Sequence, residues 1–185
     1  MIDEMLEDAS HRMDQTVELL RRELASMRTG RASLLMLDPI RVDYYGTPTP
    51  LNQVGNLSVP EATLIAIQPW DTSLLQAIEK AIRTSDLDLN PQNDGKIIRI
   101  PIPTPTEERR KQLVKHAHKQ AEDARVAVRN VRRDVNDHLK KLLKKHEVSE
   151  DDEKHALAEV QKLHDHYIGL VAKAVETKEK DIMEN

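Results

Sequence analysis

Apolar residues recur at steps of three and four along residues 107–145: Leu113, Ala117, Ala121, Ala124, Val128, Val131, Val135, Leu139 and Leu142. Such steps place all of them on one side of an α-helix. The stretch contains no Gly and no Pro, and at about 1.5 Å per residue it predicts a rod roughly 55–60 Å long. A small domain cannot bury a rod of that length alone, so other helices must lie along it. Two further seams of matching period supply them. Ile2, Leu6, Ala9, Met13, Val17, Leu20, Leu24 and Met27 predict a first helix, stopped at Thr29-Gly30, with Gly30 in the left-handed conformation that closes a helix. Ser149-Glu150-Asp151-Asp152 predicts another helix start, its acids set against the positive end of the dipole. Leu157, Val160, Leu163, Tyr167, Leu170, Val171 and Ala174 carry that seam toward Ile182. Each stripe needs partners, which predicts an elongated antiparallel three-helix bundle. Seams that close on one another favour a monomer.

Between the first two long helices the pattern changes. All nine prolines fall between Pro39 and Pro105, and four of the five glycines between Gly30 and Gly95. Short β-type runs at Ile40–Tyr45, Leu57–Val59, Leu64–Gln68 and Lys96–Ile102 are separated by turn signals at Gly46-Thr47-Pro48, Gly55-Asn56 and Asn93-Asp94-Gly95. A short helix is predicted over Ser73–Arg83, capped by Asp71 or Thr72. The fold class is therefore α+β: residues 1–30 and 106–185 form the bundle, and residues 31–105 form an inserted α/β domain. The long basic helix restarts with either Thr104 or Thr106 as its cap, and both registers are open. Two short connections, near 30–33 and 103–106, join the domains. Gly30, Arg31, Pro103, Thr104 and Pro105 are expected to act as hinges between them.

Charge adds a second layer. The formal net charge is −4, yet residues 107–145 carry thirteen Lys or Arg against six Asp or Glu, and residues 147–185 carry eleven acids against five bases. Arg125, Arg129 and Arg132 each follow a seam residue by one position, so they form a single stripe flanking the seam, with Arg133 beside it. Such a stripe either pairs with the acidic last helix or stays open. Arginine at all four positions favours the open alternative, because a guanidinium forks onto phosphate oxygens. Contact with an RNA backbone is the expected chemistry, and Arg28 and Arg31 beside Gly30 extend the basic set.

Composition excludes several other classes. Cysteine is absent, which removes disulfides, thiol catalysis and thiolate metal sites, and Phe is absent beside one Trp and three Tyr, which leaves little surface for stacking unpaired bases. No G-x-x-x-x-G-K loop is present, so the chain itself is not expected to use ATP or GTP. His116/His118 and His164/His166 are two apart on helices. That spacing points each pair to different faces, so solvent-facing histidines are expected rather than a metal site. Asp151 and Asp152 are read as helix capping. No apolar run reaches a membrane span, and the start Met1-Ile2-Asp3-Glu4 is not a signal peptide, so a soluble intracellular protein is expected.

Eight segments now stand in a specific order: Arg28-Thr-Gly-Arg-Ala32, Asp43-Tyr-Tyr-Gly-Thr-Pro-Thr-Pro-Leu-Asn-Gln53, Ile67-Gln-Pro-Trp-Asp71, Ala77-Ile-Glu-Lys-Ala-Ile82, Leu89-Asn-Pro-Gln-Asn-Asp-Gly95, Thr106-Glu-Glu-Arg-Arg-Lys111, Arg129-Asn-Val-Arg-Arg-Asp134 and Ser149-Glu-Asp-Asp152. In order and spacing, across nearly the whole chain, they resemble the ribosome recycling factors. The resemblance implies an L-shaped protein, with the three-helix bundle as one arm and a small β/α/β sandwich domain inserted into it as the other. It implies a cytoplasmic, non-enzymatic translation factor that needs no cofactor or metal. With elongation factor G and GTP, such a factor splits the post-termination ribosome, binding across the A and P sites of the large subunit and releasing messenger and tRNA. Contacts to ribosomal RNA would fall on Arg132 first, then Arg129, Arg28, Arg31 and Arg110. Arg133 joins them from the stripe itself.

The chain departs from the family's usual pattern at Asp88, where Gly is common, and at Thr104-Pro105, where Pro-Leu is common. If position 88 needs positive φ, Asp tolerates it poorly. The rival reading is a helical adaptor that binds only protein. It suits the long seams but leaves the proline-rich insert unexplained.

Overall fold

The computed structural model describes residues 1–184; Asn185, the last residue of the expected segment 106–185, lies outside them. In chain order the elements are α1 (Ile2–Ser26), β1 (Arg41–Tyr44), β2 (Thr47–Pro50), β3 (Gly55–Glu61), β4 (Leu64–Pro69), α2 (Leu75–Arg83), β5 (Gln92–Asn93), β6 (Ile98–Pro101), α3 (Glu107–Lys144) and α4 (Glu150–Met183). They form two compact units, one of Met1–Met27 with Glu107–Glu184, the other of Arg28–Thr106.

The first unit is a bundle of α1, α3 and α4. All nine seam residues of α3 are buried. Ala117, Ala121, Ala124, Val128, Val131, Val135 and Leu139 share one core with Ala9, Met13, Val17, Leu20 and Leu24 of α1. From α4 the same core takes Ala156, Val160, Tyr167, Val171 and Val175. Small residues at the centre of α3 let two neighbours approach one rod. The single large polar side chain in this core, Tyr167, places its hydroxyl 3.1 Å from Ser10 Oγ on α1, so its polar end is satisfied.

The helix ends are set by local chemistry. The helix start expected at Ser149 is there, and it takes the form of a capping box between Ser149 and Asp152: Asp152 N donates to Ser149 Oγ at 3.1 Å and Ser149 N donates to Asp152 Oδ2 at 3.3 Å. α3 starts at Glu107, which selects Thr106 over Thr104 as the residue ahead of the first turn. It closes with His146 at φ +59, whose N–H bonds to Leu143 O at 2.9 Å, while Glu147 N bonds to Leu142 O at 3.0 Å. That pair of bonds is a Schellman motif, with histidine where glycine usually stands. α1 ends differently from expectation. It stops at Ser26, and Met27 is already extended at ψ 127, its N–H on Leu24 O. Gly30 is left-handed at φ +80, but it lies three residues beyond the C-cap Met27 and does not close the helix.

The second unit holds a two-stranded sheet, β1–β2, and a four-stranded antiparallel sheet in the order β3-β4-β6-β5. β4 and β6 alternate buried and exposed positions, as strands with one covered face do. Ile65, Ile67, Ile98 and Ile100 from that face, Val42 from β1, and Leu75, Ile78 and Ile82 from α2 make one core. Asp71 caps a single 3-10 turn, Thr72–Leu74, accepting from Ser73 N at 2.9 Å, and α2 follows. Two strands go beyond the sequence expectation: β2, and the two-residue β5. The expected turn at Gly55-Asn56 is instead the beginning of β3. Gly55 is needed there because a Cβ would lie 2.7 Å from Gln68 O across the β3–β4 ladder. Asp88 does occupy positive φ, at +50.

Candidate nucleic-acid interface

The stripe on α3 is placed by the seam. Because Ala124, Val128 and Val131 are buried, the positions after them, Arg125, Arg129 and Arg132, emerge together along one border of the helix. The Arg125 side chain is 27% exposed and that of Arg129 46%. Arg132 is half-buried, and Arg133 is exposed. Arg110 lies near the start of the same helix and is half-buried. Twenty-two residues separate it from Arg132, about 33 Å of rod, so it is not part of one cluster with the stripe. Arg28 and Arg31 belong to the other compact unit, on exposed positions flanking buried Thr29 and Gly30.

What holds the guanidinium groups divides the stripe in two. Arg125 Nη1 donates to Glu122 Oε2 at 3.2 Å, and Arg129 Nη2 donates to Glu122 Oε1. Arg129 Nε also donates to the Arg125 carbonyl at 3.3 Å. Arg129, with Arg125 behind it, holds the Glu122 carboxyl below the usual carboxylate range. Arg132 is held by a neutral group: its Nη1 donates to Gln161 Oε1 on α4 at 2.8 Å, and Gln161 Nε2 donates to Asp165 Oδ1 at 2.8 Å. Asp165 is also 3.0 Å from His164 Nδ1, and that bond is the main cause of its lowered pKa; the charge of Arg132 is the smallest contributor. Arg133 makes no hydrogen bond or ion pair among the described residues. The C-terminal half of the stripe thus keeps its positive charge.

Sequence reasoning found the arginines and missed Glu122 and Gln161. A signal for Glu122 existed, since a glutamate three residues before one arginine and seven before another shares their helix face. Gln161 sits on another helix, and nothing local announced it. The histidines need one correction. His164 is not solvent-facing: its side chain is only 13% exposed, turned to Asp165. His118 meets Glu179 of α4 at 2.9 Å. Among the described residues no group of three or more His, Cys, Asp or Glu could hold a metal ion, and no helix is long and apolar enough to cross a membrane.

The family model described as ribosome recycling factor matches residues 20–183. The ribosome-recycling factor of Syntrophomonas wolfei is 54% identical over 184 residues, covering 100% of both chains. That of Nitratidesulfovibrio vulgaris is 55% identical, covering 99% of this chain and 98% of its own. A solution structure of the ribosome recycling factor superposes with a TM-score of 0.77 at 44% identity, over 100% of this chain and 98% of that one. A second structural relative has a TM-score of 0.64 and is 44% identical over 99% of both chains. It is the T. thermophilus ribosome recycling factor, placed together with E. coli elongation factor G on the E. coli post-termination complex. A family match over most of the chain agrees with full-length relatives at more than half identity: the chain belongs to the ribosome recycling factor family.

Proposed function

We propose that this chain recycles ribosomes after termination. It binds the large subunit across the A and P sites through ribosomal RNA and, with elongation factor G and GTP, splits the ribosome and releases messenger and tRNA. The observation that carries the reading is the open basic border of α3. Arg132 and Arg133 are bound by no carboxylate, while the neighbouring pair is held only by an exposed one. Such groups are free to exchange their present partners for phosphate oxygens, and each contact so made steepens the salt dependence of binding. Arg132, Arg129 and Arg133 are the central contacts in this reading, with Arg28, Arg31 and Arg110 as outlying ones.

The chemistry of the step then belongs to the partner GTPase. This chain acts as a non-enzymatic, cytoplasmic, monomeric factor without cofactor or metal. The segments near 30–33 and 103–106 serve as its hinges. Gly30 packs directly against Pro105, with the Pro103 carbonyl also close, so the two connections touch rather than wander separately. Labels on the two units should give a broad or two-peaked distance distribution in solution, and one narrow peak refutes the hinge. For the function itself, purified ribosomes with elongation factor G and GTP should lose light scattering when this protein is added. Unchanged scattering refutes the assignment. Co-sedimentation with ribosomes that fails at high salt separates this reading from a protein-binding helical adaptor.

A further inference from the structure

The acids of α3 are Glu107, Glu108, Glu122, Asp123, Asp134 and Asp137. Glu122 alone among them is bonded to the stripe. Asp134 turns to Arg12 of α1 at 2.8 Å, and Glu107 to Lys111 at 3.1 Å. Both oxygens of Glu122 are used, one on each arginine, and its side chain is 54% exposed. The donors it occupies are terminal guanidinium nitrogens, the same ones a phosphate would take from solvent. Arg125 and Arg129 alone would present two positive charges; with Glu122 bound between them the three present a net one.

Resting on the reading that the stripe grips RNA, we propose that Glu122 is a built-in competitor for the RNA phosphate. It is an affinity-setting residue that shields Arg125 and Arg129 until the backbone displaces it. The carboxylate is a displaceable ligand. Exposed ion pairs are individually weak, so a phosphate arriving with the rest of the backbone already held at Arg132 and Arg133 can take its place. Glu122 stays tethered two turns from Arg129, at high local concentration, and recaptures the arginines when the phosphate leaves. A factor that must leave the ribosome after each round benefits from such a return path. Its contribution falls mainly on the dissociation rate.

The test uses the full-length protein and purified large subunits. Glu122→Gln keeps the shape and one acceptor oxygen but removes the charge. It should tighten binding by about threefold to tenfold, mostly through slower dissociation. It should also steepen the salt dependence by roughly one further counterion. In an Arg125→Gln/Arg129→Gln background the same substitution should change affinity by less than about twofold, because its targets are gone. Weaker binding or no change for Glu122→Gln overturns the proposal, since the carboxylate would then organise the arginines or be irrelevant to them. Tightening that persists undiminished without the two arginines overturns it as well, by reducing it to a general charge effect. The parent reading is tested separately in the same assay: it fails if the wild-type protein does not bind, or if Arg132→Gln binds as the wild type does.

Discussion

Gly30→Ala tests the claim that the two connecting segments touch, Gly30 packing against Pro105. An alanine Cβ at this position would sit 2.2 Å from Pro105 Cδ, 3.1 Å from its Cγ and 3.3 Å from the Pro103 carbonyl oxygen, with the backbone at φ +80. Two costs add. A side chain in the left-handed region costs roughly 1–2 kcal/mol. Forcing a carbon into a packed site bounded by a proline ring and a backbone carbonyl costs about 1–3 kcal/mol more, because neither neighbour can swing aside. The expected loss is about 2–5 kcal/mol. Gly46→Ala and Gly95→Ala isolate the first cost, since both glycines have positive φ, +83 and +92, and nothing lies within 4 Å of an added Cβ. Their expected loss is about 1–2 kcal/mol. Hydrogen exchange at Ile65 and Ile100, register partners at the centre of the four-stranded sheet and both fully buried, reports the opening of this unit. Exchange there should quicken roughly thirtyfold to several-thousandfold in Gly30→Ala, and roughly fivefold to thirtyfold in the two controls. If Gly30→Ala falls within the range of the controls, the close approach to Pro105 has no energetic weight and the reasoning fails.

Other predictions follow from single contacts. Arg132→Ala should weaken large-subunit binding by about 1–3 kcal/mol, measured by sedimentation, with the thermal unfolding midpoint nearly unchanged because Gln161 can turn to water. His146→Gly should stabilise the bundle by about 1 kcal/mol in urea titration, because it relieves a left-handed side chain at the end of α3. Ala121→Leu should destabilise it by about 1–3 kcal/mol in the same titration, since Ala121 is fully buried where three helices meet. Asp94 accepts from Ile97 N at 2.8 Å and Lys96 N at 3.0 Å and pairs with Arg99, contacts that hold its carboxyl well below the usual range. A depressed folded pKa gives stability that is complete above the ordinary carboxylate value and disappears as pH falls through the folded one. Asp94→Asn should therefore be less stable than the wild type at pH 7, and the gap should close progressively below about pH 4.

How far the fold was legible depended on whether a residue's role is set by its own neighbours in sequence. The nine α3 positions could be read because a buried helix face repeats every three or four residues whatever it packs on. Ser149 and Asp152 could be read because a capping box lies within four residues. β2 could not. Its residues, Thr47-Pro48-Thr49-Pro50, look like a turn, and prolines are tolerated there because a two-stranded ribbon leaves each strand an open edge that needs no N–H. Gly30 was legible as a special backbone position but not as the right one. Its reason, the ring of Pro105, lies seventy-five residues away in the chain. The arginines of the site could be read from periodicity, and their partners only in part, since side-chain pairing across helices has no local signature.

The separation of charge between α3 and α4 could have meant two different things. Had it served to bind the helices together, the stripe would be tied to the acids of α4, leaving nothing for RNA. Among the described residues, no ion pair joins Arg125, Arg129, Arg132 or Arg133 to an acid of α4; the α4 group bonded to Arg132 is the neutral Gln161. Acids of α4 turn to its own lysines instead, Glu159 to Lys162 at 2.6 Å and Glu176 to Lys180 at 3.5 Å. His118 with Glu179 is a cross-helix contact between a basic group of α3 and an acid of α4, away from the stripe. Cohesion comes from alanine and valine instead, and this has a consequence for the surface. Small seam residues bring the helix axes close without needing charged partners at the border: Arg125 and Arg129 stay with Glu122 on their own helix, and Arg132 reaches only the neutral Gln161 of α4. The same choice of residues that closes the bundle thus leaves its basic border open to a polyanion.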